Sequence, residues 1–312
     1  MVRRKYDRLE AKIANLSWWP EVSSKVKGFP SSPVVHHFNP AAFLEQMRRV
    51  EGGYQKGDKG KVVLEINFRL AGFGGLLPTE EYTELTEKGV KQFQRDYMKM
   101  ANPSGVVDSQ TLEAIDDFSE KYRENLNDYK CKCGVCSGFG NRQFKNEYTK
   151  ELQIEAGHKY EYPGIHQSLL WAVSASRFYF TEQLGGKFSI MAISSGYRCW
   201  EHSITKSKKT TNHMGKAVDI LFNKNGERTR ESDDMDELRE KIYCDFIGAP
   251  KQGGNDKTKF GWLACKFGLE STSQGAPNWV HLDVREFDPA KYLKDVFFIK
   301  STSDKCFNNR IS

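Results

Sequence analysis

Residues 210–221 read TTNHMGKAVDIL and run on into Phe222. From Ala217 the pattern is that of a strand: Ala217, Val218, Ile220, Leu221 and Phe222 are apolar, with one carboxylate, Asp219, among them. A carboxylate in such a run is costly to bury unless it is paired or bound to a metal. His213 lies six positions ahead of it, in a chain with seven histidines.

Two further strands are expected. KFSIMAISS (187–195) alternates and ends at Gly196. NWVHLDVREF (278–287) puts Trp279, His281 and Asp283 on one face by its period of two, and Val280, Leu282 and Val284 on the other. PGIHQSLLWAVSASRFYFTEQL (163–184) reads as a helix, and Asp288-Pro289 supplies the N-cap and first-turn proline of a closing one. Residues 161–312 are therefore expected to form an α+β domain, a small antiparallel sheet with flanking helices.

Two histidines and a carboxylate make a catalytic zinc set, because zinc takes imidazole nitrogen and carboxylate oxygen and three protein ligands leave a corner for water. His213, Asp219 and His281 would form that set if their strands are neighbours. Taken singly, a strand histidine is ordinarily a satisfied polar group and Asp219 an ordinary ion-paired carboxylate. His166 and His202 read as structural, and His36 and His37 as surface residues of an extension over residues 1–49.

Residues 50–125 carry three helical patterns. Val63, Ile66 and Leu70 recur at helical spacing before Gly72, Gly74 and Gly75. Val90, Phe93, Tyr97 and Met100 share a face, with Thr86 as the expected N-cap and Asn102-Pro103 as the stop. Leu112, Ile115, Phe118 and Tyr122 follow Asp108. Residues 126–160 are polar and irregular and form a linker that holds Cys131, Cys133 and Cys136. The cysteine count of seven is odd, which argues against a disulfide framework. Cys131, Cys133 and Cys136 could meet Cys199 as a closed structural metal site, the alternatives being free thiols or an opportunistic disulfide.

The formal charge of +6 suits an anionic polymer without demanding one. Residues 1–50 hold nine Lys/Arg against four Asp/Glu, but no basic run resembles a nucleic-acid arm. No apolar stretch reaches the ~18 residues of a membrane span. The opening MVRRKYDRLEAKIANLSWW has no apolar h-region, so the expectation is synthesis in a host cytoplasm without a signal peptide.

Three motifs in order, S195-G-Y-R198, H213-M-G-K-A-V-D219 and W279-V-H-L-D283, resemble the zinc D-Ala-D-Ala carboxypeptidase / L-alanyl-D-glutamate endopeptidase (LAS-type) cell-wall peptidases over roughly residues 126–290. The resemblance implies a LAS/hedgehog-like fold and zinc held by His213, Asp219 and His281. It implies that Arg198 meets a substrate carboxylate or the developing oxyanion, with Tyr197, Thr211 and Trp279 completing the substrate side. The family's spacing from His to Asp is seven, against six here. Asn278 stands where many members carry an acid, and Trp279 where others carry a histidine. Asp283, with Glu286 behind it, is the general-base candidate, or else the partner that orients an imidazole.

GDKGKVVLEINFRLAGFGG, TEKGVKQFQRDYM and SGVVDSQTLEAIDDF resemble a three-helix peptidoglycan-binding domain over about residues 52–125. Together the resemblances imply a modular phage endolysin: a monomeric zinc peptidase acting on peptidoglycan in the periplasm or outside, with no nucleic-acid or membrane partner. The alternative is a non-catalytic, zinc-containing wall-binding protein. A glycan-cleaving enzyme is a weaker third reading, since no paired carboxylates stand out for it.

Overall fold

The computed structural model describes residues 52–136, 138–139, 164–199, 201–208, 213, 215–253 and 259–287. The expected extension at 1–49, Thr211 and the closing helix after Asp288 lie outside the described residues, as does the linker from residue 140 to residue 160. The chain from Gly53 onward forms one compact unit.

The expected strands form a small antiparallel sheet. β1 (Phe188–Ser195) pairs with β2 (Ala217–Lys224), β2 with β5 (Val280–Asp283), and β5 with the two-residue β4 (Gly268–Leu269). The short β3 (Glu227–Arg228) hairpins back onto β2, giving the order β1-β2-β5-β4 with β3 off the path. β2 is central, and Val218, Ile220 and Phe222 are fully buried on it.

The described chain opens with α1 (Lys61–Arg69), α2 (Glu84–Asp96) and α3 (Ser109–Lys121). Asp108 caps α3 as expected, accepting from the Thr111 N–H at 2.8 Å. The cap of α2 differs from expectation. Thr83 is the N-cap and Thr86, the third residue of the helix, the reciprocal partner of a capping box. The helix also ends at Asp96, so Met100 falls beyond it; Lys99, at φ 58, sits in the left-handed region just after the end. Thr86 also donates to Asn67 Oδ1 at 2.9 Å, a second demand on the same hydroxyl.

α4 (Gln167–Leu184) is the hub. It is apolar nearly all round, as a helix covered on several sides must be. Phe180 meets Phe222 of the sheet edge-on at 5.7 Å. Phe178 and Tyr179 face the three helices. Phe73, in the turn after α1, lies 5.0 Å from Phe93, 5.3 Å from Phe118 and 5.6 Å from Tyr179, ring centre to ring centre. Gly72 admits the close approach of α4: a side chain there would run into Ala175 and the Trp171 carbonyl. His166 is the N-cap of α4, so its expected structural role holds. Its C-terminus closes on Gly185 in the left-handed region, φ 57.

α6 (Ser232–Leu238), after the short α5 (Ser203–Lys208), continues as a π-helix over Arg239–Ile247. Its Phe246 stacks on Tyr179 at 4.4 Å. The Phe246 carbonyl accepts from Gln92 Nε2 at 3.0 Å and from the Gly74 N–H at 2.8 Å.

The helices of residues 50–125 and the α+β half thus share one continuous core. The expected boundary at residue 125 is crossed by aromatic packing and by an Arg177–Glu124 pair at 2.6 Å. A separate helical domain would have had to present Phe73 and Phe118 to water, or to a core of its own.

Two measurements follow. Phe73→Ala leaves a cavity at the junction and costs about 3–5 kcal/mol, and urea unfolding followed by tryptophan fluorescence and by far-ultraviolet dichroism shows one coincident transition. A fragment of residues 52–125 alone gives no cooperative transition. Two separated transitions, or a folded fragment, would restore independent domains.

Candidate functional site

Strand register begins the assembly. β2 and β5 pair with Asp219 opposite His281 and Ala217 opposite Asp283, while β1 puts Ser195 opposite Asp219. Paired positions share a face, so His281 Nδ1 comes within 2.8 Å of Asp219 Oδ1. His213 arrives from the turn before β2. Its Nε2 lies 3.3 Å from Asp219 Oδ2, and its ring stands edge-on to that of His281 at 5.3 Å. One donor atom from each of His213, Asp219 and His281 lies within 4.8 Å of the others. A divalent ion could be held there.

The far nitrogen of each imidazole is engaged. His213 Nδ1 is 3.0 Å from the Gly196 carbonyl, which can only accept, so Nδ1 carries hydrogen and Nε2 presents its lone pair toward Asp219. His281 Nε2 is 3.1 Å from Asp283 Oδ2, which leaves Nδ1 on the Asp219 side. This outer tethering is how ligand histidines are fixed in orientation.

The charges are balanced within the cluster. Burial pushes the Asp219 carboxyl up, but His213 and His281 outweigh it and hold the group well below the usual range. Burial lowers His213. Burial also opposes a proton on His281, yet hydrogen bonds to Asp219 and Asp283 raise it to about 10. Metal-free, the site is a protonated His281 between two carboxylates beside a neutral His213. A metal taking Nδ1 would displace that proton.

Asp283, the expected general base, occupies the back of the site. It is fully buried and accepts from Trp262 Nε1 at 2.8 Å, Arg285 Nε at 2.9 Å, Arg285 Nη2 at 2.6 Å and the Arg285 N–H at 3.1 Å. The Arg285 guanidinium in turn lies 4.3 Å over the Trp262 ring. Burial raises the Asp283 carboxyl, but Arg285 and His281 drive it far below its ordinary value. A carboxylate sealed under that many donors does not reach an attacking water; its placement is that of the partner orienting His281.

The SGYR turn is distributed as follows. Arg198 Nη2 donates to Asp219 Oδ2 at 2.8 Å and Nε to Ser195 Oγ, so the guanidinium sits against the candidate ligand set. Tyr197 was expected on the substrate side. It is instead buried, edge-on to Phe139 at 6.0 Å, and its N–H donates to the Tyr129 carbonyl at 2.8 Å. Gly196 is required because the Tyr129 backbone fills the space a side chain would need. Trp279 is half-buried, and its carbonyl accepts from Arg239 Nη2 at 2.9 Å.

Two residues went unassigned in the sequence. Arg239 is fully buried and fixes the approach to β5 through the Ala276 and Trp279 carbonyls. Glu270 follows β4 by one position, and its Oε1 is 3.9 Å from His281 Nε2. Its side chain is 22% exposed against 3% for His281, so it is the acid at the open edge of the cluster.

Cys131, Cys133, Cys136 and Cys199 also converge, with all four sulfurs within 4.8 Å of one another. No disulfide joins them. Burial opposes ionisation of Cys133, but the N–H groups of Cys136 and Val135 outweigh it and bring that thiol to about 6.

No family model matches the chain, and no curated protein matches it either.

The charge pattern sets a pH signature for the chelator-treated protein. His281 is raised from 6.5 to about 10 on folding, so its contribution is complete below pH about 6.5 and is lost as pH rises through about 10. Asp283 is depressed, so its contribution is complete above about 3.9 and lost in acid. Urea midpoints should fall on both sides of that window, and His281→Gln should abolish the alkaline fall. An alkaline slope that survives His281→Gln belongs to other groups and removes this account of His281.

Proposed function

We propose that the chain is a zinc-dependent peptidoglycan peptidase that cleaves stem-peptide bonds. The observation that carries this reading is the convergence of one carboxylate and two imidazoles whose outer nitrogens are already tethered. That donor set suits zinc. His213 through Nε2, Asp219 through its carboxylate and His281 through Nδ1 would hold the ion, which when bound supplies a Lewis acid and a water of pKa about 7.

The chain's own groups do the rest. Glu270, 22% exposed at the open edge of the cluster, would take the proton of the attacking water and return it to the departing amine. Arg198 meets the stem carboxylate or the oxyanion that develops at the scissile carbonyl. Asp283 and Gly196 keep the two imidazoles from rotating. The substrate class comes from the resemblance of SGYR, HMGKAVD and WVHLD to LAS-type peptidases, and that of the helices to a peptidoglycan-binding domain favours the endolysin reading.

A non-catalytic wall-binding protein is the second reading, favoured by Asn278 where the family carries an acid. Glu270 supplies an acid at the same cluster from the residue after β4, and for that reason we prefer the enzyme.

Purified sacculi distinguish the two. The wild-type chain should release free amino groups, lose this activity to a chelator and regain it with zinc. His281→Ala should be inactive. Glu270→Gln should keep its zinc while the rate drops by about 10²–10⁴-fold. Binding to sacculi without release of amino groups would leave the adhesive reading alone standing.

A further inference from the structure

The second side-chain cluster lies outside the reacting centre. Cys133, Gly134, Val135 and Cys136 form a C-x2-C turn, with Gly134 in the left-handed region at φ 76. Backbone N–H groups point at its sulfurs: Val135 and Cys136 donate to Cys133 Sγ at 3.3 and 3.2 Å, and Gly138 to Cys136 Sγ at 3.4 Å. Across from the turn, the Cys199 N–H donates to Cys131 Sγ at 3.4 Å, and Cys199 Sγ is 3.5 Å from Cys133 Sγ. Donors aimed at sulfur stabilise thiolate rather than thiol.

The spacing separates two outcomes for these cysteines. A disulfide needs sulfurs about 2.05 Å apart. Four thiolates around zinc, at about 2.3 Å from the ion, stand about 3.8 Å from one another. Sulfurs that all lie within 4.8 Å, two of them at 3.5 Å, match the second arrangement. Zinc commonly closes a tetrahedral four-sulfur site with no position left for water.

We infer that Cys131, Cys133, Cys136 and Cys199 bind a structural zinc ion that clamps the 129–139 segment to the SGYR turn. The clamp lies where the chain has other reasons to be exact. Tyr129 crosses Gly196 with no room for a side chain. Lys132 Nζ reaches the Ile193 and Ser194 carbonyls at 3.3 and 3.4 Å. Cys199 directly follows Arg198, which holds Asp219. The ion would therefore fix one side of the loop that carries Arg198. This site does not depend on the peptidase reading.

The test uses the full chain purified under reducing conditions. Cobalt is added to the His213→Ala/His281→Ala double variant, which lacks the imidazole pair. Intense thiolate-to-cobalt charge-transfer bands are expected, with one equivalent bound and displaced by one equivalent of zinc. Cys133→Ser/Cys136→Ser should lose the bands. Cys136→His, which preserves four ligands, should keep them at reduced intensity, which separates ligand loss from misfolding. Zinc content should be two per wild-type chain and one in each double variant. One zinc in the wild type, retained in the histidine double variant, would sink the peptidase centre and leave this site intact. Absence of the bands in the histidine double variant, iron in place of zinc, or a disulfide among the four cysteines in the mass spectrum would overturn the inference.

Discussion

Asp219 is a largely buried carboxylate in the central strand of the sheet, opposite His281. Removing such a group from water is expensive unless it is paired and hydrogen-bonded. The surrounding structure supplies those partners, His281 from β5 and Arg198 from the turn after β1, with His213 from the preceding turn beside them. Each partner is itself held by something further out. Asp283 holds His281, Gly196 holds His213, and Ser195 holds Arg198. The strand order and the close approach of the SGYR turn both serve this one buried charge.

The SGYR turn joins the two clusters. Residues 195 to 198 face Asp219 through Ser195 and Arg198, and face the cysteine segment through Gly196 and Tyr197. Tyr197 shows how a motif position can be needed for architecture rather than contact with a ligand. Its phenol is buried, and its backbone is tied to Tyr129. The turn has little freedom to move on either side, which is the preorganisation an Arg198 guanidinium requires if it is to meet developing charge.

β1 and β5 were legible because their apolar residues alternate, and β2 because its apolar run is broken by one chemically conspicuous carboxylate. β4 was not, because two residues carry no period. Glu270 was lost with it, since its place beside His281 depends on how Gly268 and Leu269 pair with β5. The period of two puts Asp283 on the face of His281, which suits either a base or the partner that orients the imidazole, and the sequence alone does not choose between them. The burial of Asp283 comes from Trp262 and Arg285, and Trp262 lies some twenty positions away on another segment. The α2 cap was ambiguous because Thr83 and Thr86 both offer hydroxyls in the sequence TELT, and they use each other. The packing across residue 125 was not legible for a general reason: an amphipathic helix announces that it will bury a face, but not against which partner.

The spacing of six between His213 and Asp219, against seven in the peptidases the motif resembles, has a physical account. The position of His213 is not set by counting back along β2. The His213 carbonyl accepts from the Arg198 N–H at 2.7 Å, and its ring nitrogen meets the Gly196 carbonyl at 3.0 Å, so two bonds to the SGYR turn fix the residue from across the site. Between it and the strand, the Gly215 carbonyl accepts from the His166 N–H at 2.8 Å and the Lys216 carbonyl from the Val284 N–H at 3.0 Å. Gly215 itself stands at φ 90, where a residue with a side chain would be strained. A shorter connection can therefore bring the same imidazole to the same carboxylate, because the anchors are hydrogen bonds to neighbouring segments and the glycine absorbs the change in path.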